Sequence, residues 1–311
     1  MSVRISRPSP SQPHGGWWRR STIRRGTAAH LSCKASSAPH RAVVVLPGLG
    51  NSAADYDSFA ALLSSRGFHT QVADVARIDW VRNALGLRYP EYWSGTLSPR
   101  PTVDWYLERI DAAVEEAKRA TDGAPITLLA HSAGGWMGRV YMRDFGTTGL
   151  DRFVTLGSPH NPPPKDAPGV IDQTRGILTW MQDNCPGAFH SDVSYTTIAG
   201  KYLQGAPLRG GRSSATFKER VVGAGYQQVC GNAEEWGDGV VPVPSALLEG
   251  ANHIVLEGVY HSPLGSNDVP AEMKAEEPGA ARPWYGSESI LDSWIKELGT
   301  TSDIAKDIVM P

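Results

Sequence analysis

Apolar residues in this chain gather in short unbroken runs, separated by longer stretches where they recur at helical spacing. Ala42–Leu46 (AVVVL), 68–72, 126–130 (ITLLA), 152–156 (RFVTL), 195–198 and 253–256 are four or five residues long. Runs of this kind, apolar on both faces, predict central strands of a parallel sheet. Between them, 56–66 is amphipathic and ends at Gly67, and 103–119 carries Trp105, Ile110, Ala113 and Val114 at helical intervals. Helices are also predicted directly after residue 133, around 171–182, and over 287–298. Strand and helix alternate, which predicts an α/β fold with a mainly parallel sheet and helices on both faces. Two stretches interrupt the alternation. Residues 77–101, rich in Trp, Tyr, Pro and Gly, read as an insertion, and 161–225 reads as largely irregular, the kind of segment that forms lids and binding loops.

The stretch 126–141 (ITLLAHSAGGWMGRVY) organises the rest. A buried strand runs into His131-Ser132-Ala133-Gly134-Gly135 and a helical pattern starts at once. Ser at a sharp strand-to-helix turn, flanked by small residues, is the nucleophile-elbow pattern. The first Gly of G-x-S-x-G is Ala130 here, still small enough for the close strand–helix contact.

A Ser hydroxyl needs a base to take its proton and a third group to orient that base. Two downstream loops supply candidates in the required chain order: Asp238 in Trp236-Gly237-Asp238-Gly239, and His261 in Val259-Tyr260-His261-Ser262-Pro263. His160 and His253 are rival bases, each near a strand end; His131, beside the nucleophile, is expected to point away from it. An oxyanion needs two backbone N–H donors, expected at Ala133 and at Leu49 in the Pro47-Gly48-Leu49-Gly50 turn. That turn has a competing reading. Gly48-Leu49-Gly50-Asn51-Ser52-Ala53 satisfies G-x-G-x-x-A after a strand, and Asp74 closes the next strand as a ribose-binding acid would. A dinucleotide site, however, leaves Ser132, Asp238 and His261 without a role.

With these motifs assembled, the chain resembles the lipase-type α/β-hydrolases: LPGLGN at the oxyanion turn, LLAHSAGG at the elbow, VTLGSPH after it, WGDGVVP at the acid loop and GVYHSP at the His loop. The resemblance spans about 41–298. It is closest to plastid-targeted hydrolases of plants, algae and cyanobacteria, and more distant from lipases and glycosylphosphatidylinositol-inositol deacylases. It implies an α/β-hydrolase fold over 41–300, with a reduced N-terminal hairpin and lid-like segments at 77–101 and 161–225, followed by a tail at 301–311. The implied activity is hydrolysis of a carboxylic ester by Ser132, His261 and Asp238 through an acyl-enzyme. Acyl transfer with the same residues and a non-catalytic binding protein on this fold are the alternatives. Trp80, Trp93, Trp105, Trp136 and Trp180 fall in or near the segments expected to border the site and suit a lipophilic ester, an acyl lipid or a chlorophyll-type ester.

Composition changes the picture at one end. Residues 1–40 contain no Asp or Glu but carry Arg4, Arg7, Arg19, Arg20, Arg24, Arg25 and Lys34 among many Ser and Pro. This predicts an organelle transit peptide, chloroplast or alternatively mitochondrion, over a merely basic tail. Beyond it the chain is acidic, which argues against nucleic acid as a partner. No apolar run is long enough to span a membrane, and peripheral membrane contact stays open. Cys33, Cys185 and Cys230 lack the spacing of a disulfide framework or a zinc site, and two unpaired thiols at Cys185 and Cys230 are expected over the alternative, a bridge between them. No cofactor or metal is expected.

Overall fold

The computed structural model describes residues 41–165, 167, 169–263 and 282–299. The expected transit peptide and C-terminal tail lie outside the described residues. Six strands form one fully parallel sheet in the order β2-β1-β3-β4-β5-β8: β1 Ala42–Leu46, β2 His69–Val72, β3 Ile126–His131, β4 Leu150–Leu156, β5 Ser194–Lys201 and β8 Asn252–Glu257. The chain moves outward from β1 to β2, then returns to β3 and proceeds the other way. The reversal lies between β1 and β3, and crevices for ligands form at such a point, beyond the strands' C-terminal ends.

Side-chain alternation explains the two layers. Ala42, Val44 and Leu46 of β1 and Ile126, Leu128 and Ala130 of β3 face one core, with α3 (Asp104–Ala120), α4 (Gly134–Phe145) and α5 (Ile177–Asn184) packed over them. Val43, Val45, Leu129, Val154 and Ile198 face the other, covered by α1 (Asp57–Ser65) and by Tyr285, Leu291, Trp294 and Leu298 near the C-terminal end of the described chain. Because residues alternate across a strand, His131 must lie on the second face, opposite Ala130. This parity later decides what His131 touches.

The stretch 77–101 forms a 3-10 helix, Arg77–Arg88, and a short α2, Pro90–Ser94, and packs onto the first core through Trp80 and Leu97. Three sequence expectations need correction. The helix expected at 171–182 begins at Ile177. The Asp172 carboxylate accepts from the Thr174 and Gly176 N–H groups and the Thr174 hydroxyl, so the preceding turn is closed on itself. Residues 161–225 are less irregular than expected, because α6 starts within them at Phe217–Cys230. Its capping box is intact: Glu219 N–H donates to Thr216 Oγ1 and the Glu219 carboxylate accepts from Thr216 N–H. The sequence signal was present as Thr-Phe-Lys-Glu, but two glycines inside the helix weaken its periodicity. Finally, 287–298 is two short turns, α8 Glu288–Leu291 and the 3-10 turn Ile295–Leu298. Trp294 sits between them, fully buried, donating its indole N–H to the Tyr285 carbonyl. That tertiary bond overrides the helical pattern. A small antiparallel pair, β6 Leu203–Gln204 with β7 Trp236–Gly237, and α7 Val243–Ala246 complete the described elements and frame the loop that carries Asp238.

Candidate active site

Strand β3 ends at His131 and α4 begins at Gly134, which leaves two residues for the turn. Ser132 therefore adopts φ 53°, a left-handed conformation that is costly for a residue with a Cβ. It is held by its own N–H donating to Leu156 O and by its carbonyl accepting from Gly135 N–H. The β1 turn presses against it from the side: a Cβ on Gly48 would stand 2.8 Å from Ser132 Cβ and 2.9 Å from His131 Nδ1. Only glycine lets the two strand ends converge this closely.

The structure brings Ser132, His261 and Asp238 together. Ser132 Oγ lies 3.0 Å from His261 Nε2, and His261 Nδ1 lies 2.7 Å from Asp238 Oδ2. A carboxylate only accepts, so the His261 proton sits on Nδ1 and Nε2 is free to receive the serine proton. Asp238 is fully buried. Its Oδ1 accepts from the N–H groups of Val240 and Val241, and its Oδ2 also accepts from the Tyr285 hydroxyl at 2.7 Å. These neutral donors satisfy a charge that burial would otherwise penalise heavily. Gly157, at φ 54°, allows the end of β4 to approach Asp238 Oδ2, a space that any side chain would fill.

The Leu49 and Ala133 N–H groups, expected to hold an oxyanion, flank Ser132 from the β1 turn and from the start of α4. Among the described residues neither N–H donates to a protein acceptor. Both residues line the same cavity as Ser132.

That cavity, about 250 Å³, is mostly apolar, with Trp80, Tyr92, Leu97, Trp136, Met137 and Ile177 among its walls. Of the five expected tryptophans, Trp80 and Trp136 line it. Trp105 backs Trp80 edge-on at 5.2 Å, Trp93 is exposed, and Trp180 lies under the Arg143 guanidinium. The rival residues are placed elsewhere. His160 is buried with Nε2 on Thr155, His253 bonds the Leu248 carbonyl, and Asp74 is an exposed partner of Arg109. Cys185 and Cys230 are free thiols. Among the described residues no group of three or more His, Cys, Asp or Glu could hold a metal ion, and no helix is long and apolar enough to cross a membrane.

Sequence reasoning missed Tyr285, Tyr56 and the part His131 plays. His131 does point away from Ser132, but its ring passes under His261, with ring centroids 4.8 Å apart. His131 Nε2 lies 2.8 Å from the His261 carbonyl, which can only accept, so Nε2 carries the proton. His131 Nδ1 then accepts from the Tyr56 hydroxyl at 2.7 Å, and Tyr56 Oη accepts from Gly48 N–H at 2.9 Å. One buried chain of hydrogen bonds thus links the β1 turn to the backbone of His261. Nothing in the sequence marks Tyr56, which precedes His131 by 75 positions.

Burial keeps this imidazole neutral, pushing the His131 pKa down to about 3, and burial likewise lowers that of His160. Between about 3 and the usual value near 6.5, the unfolded chain binds protons that the folded chain does not. Stability therefore falls as pH drops below about 6.5, by up to about 1.4 kcal/mol per pH unit for each such histidine. Thermal melts from pH 7.5 to 4.5 should show this loss, and His131→Gln should flatten it; an unchanged slope in the variant would exclude His131 as a source.

The same position tests the placement of His261. His131→Ala is expected to slow labelling of Ser132 by a fluorophosphonate about 10- to 100-fold, because a displacement near 1 Å at His261 suffices for that loss. Gln can still donate to the His261 carbonyl, whereas Asn reaches only toward Tyr56. Recovery with Gln beyond that with Asn is the expected kinetic result, and equal labelling rates for the two would detach His131 from His261.

The family model described as "Alpha/beta hydrolase family" matches residues 43–288. No curated protein matches the chain in sequence. Among solved structures, the Bacillus licheniformis lipase BlEst2 in mature form is 17% identical, with 70% of this chain and 84% of that one covered and a TM-score of 0.44. Phospholipase PlaB from Legionella pneumophila is 15% identical over 86% and 64% of the two chains, TM-score 0.46. LpqC, the poly(3-hydroxybutyrate) depolymerase from Bordetella parapertussis, is 15% identical over 87% and 84%, TM-score 0.43.

Proposed function

The chain belongs to the alpha/beta hydrolase family, and within it we propose a serine hydrolase of lipophilic carboxylic esters. One observation carries the reading: the Ser132–His261–Asp238 chain, at 3.0 and 2.7 Å, ends in an apolar cavity that Ser132 itself lines. In this mechanism Ser132 Oγ attacks the ester carbonyl while His261 Nε2 takes its proton. Asp238 holds His261 in the required tautomer and steadies the imidazolium that forms. The carbonyl oxygen, now an oxyanion, is received by the Leu49 and Ala133 N–H groups, donors with no competing protein partner among the described residues. His261 returns the proton to the leaving alcohol, and water then releases the acyl group by the same steps in reverse.

The cavity supports the choice of a lipophilic ester. Trp80, Trp136 and Met137 give the cavity that Ser132 lines flat or adaptable apolar surface, and a polar acyl group would lose hydration against that surface. A plastid location and kinship with plastid-targeted hydrolases belong to the same proposal. They are supported by the acid-free, Arg- and Ser-rich residues 1–40 and make galactolipids, phospholipids and chlorophyll-type esters the substrates to try. The test is turnover of p-nitrophenyl esters of increasing acyl length, followed by these lipids, with product analysis to separate hydrolysis from transfer to an alcohol. A chain that is inert on all of them and unlabelled by a fluorophosphonate would end the proposal.

A further inference from the structure

The 3-10 helix Arg77–Arg88 turns once every three residues, so every third side chain shares a face. Trp80, Asn83 and Gly86 form the inward face: Trp80 and Asn83 line the Ser132 cavity, and Gly86 is buried. Ile78, Val81, Ala84 and Leu87 form another, and all four are exposed, Ile78 to 73% and Val81 to 64%. A single exposed apolar residue is ordinary, but a whole apolar face left in water over a 12-residue helix is not. The surface continues through Trp93, 69% exposed, whose indole N–H donates to the Leu87 carbonyl. At the start of the helix Arg77 donates to the Gly50 carbonyl, in the turn where Leu49 is exposed and lines the cavity; Val240 is likewise exposed and lines it.

Charge selects the partner. The helix carries Arg77, Arg82 and Arg88 against one acid, Asp79, which is buried, and the turn that bears Trp93 adds one exposed acid, Glu91. Arg77 leans on Asp55 and Arg82 on Asp79, yet both arginine side chains stay more than half exposed. An apolar face with a Trp beside it and arginines at its margins is the pattern of a helix that lies in the headgroup region of an anionic bilayer. We propose that the Ile78–Val81–Leu87–Trp93 face docks this protein on an anionic lipid surface, with the cavity mouth turned toward the membrane. The proposal rests on the lipophilic-ester reading and gives it a route: the substrate passes from bilayer to Ser132 without crossing water.

Vesicle flotation tests it with the full chain carrying Ser132→Ala, so that the lipids are not consumed. This protein is expected to float with phosphatidylcholine vesicles containing phosphatidylglycerol and to be released by added salt, as screening of the arginine attraction requires. Ile78→Glu combined with Val81→Glu is expected to lower the partition coefficient on the order of tenfold or more. With Ser132 restored, the same pair should hydrolyse a short soluble ester at the wild-type rate, which shows that the variant folds. Failure of the Ser132→Ala chain to float overturns the proposal, as does flotation unaffected by the two Glu substitutions. Self-association in gel filtration that the substitutions abolish, without vesicle binding, overturns it in favour of a second copy on this face. Flotation that depends on Ile78 and Val81 in a chain inert on soluble esters upholds the docking surface and ends the hydrolase reading instead.

Discussion

Ser132→Ala is expected to lower ester turnover by on the order of 10⁴ or more and to abolish fluorophosphonate labelling while leaving the fold intact. Among the described residues Ser132 Oγ bonds to His261 Nε2 and to no other side chain, so its removal takes away the nucleophile and little packing. His261→Ala should cost a similar amount, and the double variant little more than either alone, because groups acting as one unit give strongly non-additive losses. Circular dichroism and thermal melting would establish that the variants are folded. Losses that multiply in the double variant would mean that the two residues act independently, and the proposed proton transfer between them would fail.

Asp238→Asn should have the next largest effect, a fall of about 10³ to 10⁴ in kcat. The substitution is nearly isosteric, and its carbonyl oxygen can keep accepting from the Val240 and Val241 N–H groups. In place of Oδ2, however, an amide NH₂ would face His261 Nδ1. The ring then has to present a lone pair there and carry its proton on Nε2, toward Ser132, where it cannot act as a base. Tyr285→Phe provides the contrast. It removes one of the two donors on Asp238 Oδ2 and leaves Gly200 N–H without its hydroxyl acceptor, but it does not change the His261 tautomer. A loss near tenfold is expected from it. Near-full activity in Asp238→Asn would assign the acid to another residue.

These expectations draw on information of two kinds. Chain order was enough to nominate Ser132, Asp238 and His261, because each lies in a short motif beside a strand end and a parallel sheet gathers those ends on one edge. The groups that hold them were not legible in the same way. Tyr285 comes from beyond the last strand, Tyr56 from the turn before α1, and neither stands in a recognisable motif. The part played by His131 depends on strand parity and on the His261 carbonyl lying 2.8 Å away, a distance fixed by loops separated from it by 130 positions. Likewise, the helix at Arg77–Arg88 was not legible, because its apolar positions recur every third residue, the 3-10 repeat, and a search for periods of 3.6 or 2 passes over it.

The sequence alone determined the alternation of buried strands and helices, hence the α/β class, and the order of the motifs along the chain. Both are local properties: apolar runs, turn residues and spacing are written in consecutive positions. Tertiary structure decided where helices at the chain's end break, which tryptophans reach the cavity, and which buried hydroxyls hold Asp238 and His131. Those outcomes depend on contacts between residues from nine to more than a hundred positions apart, and a hydrogen bond such as that from Trp294 to Tyr285 outweighs the weak propensity of the segment that carries it.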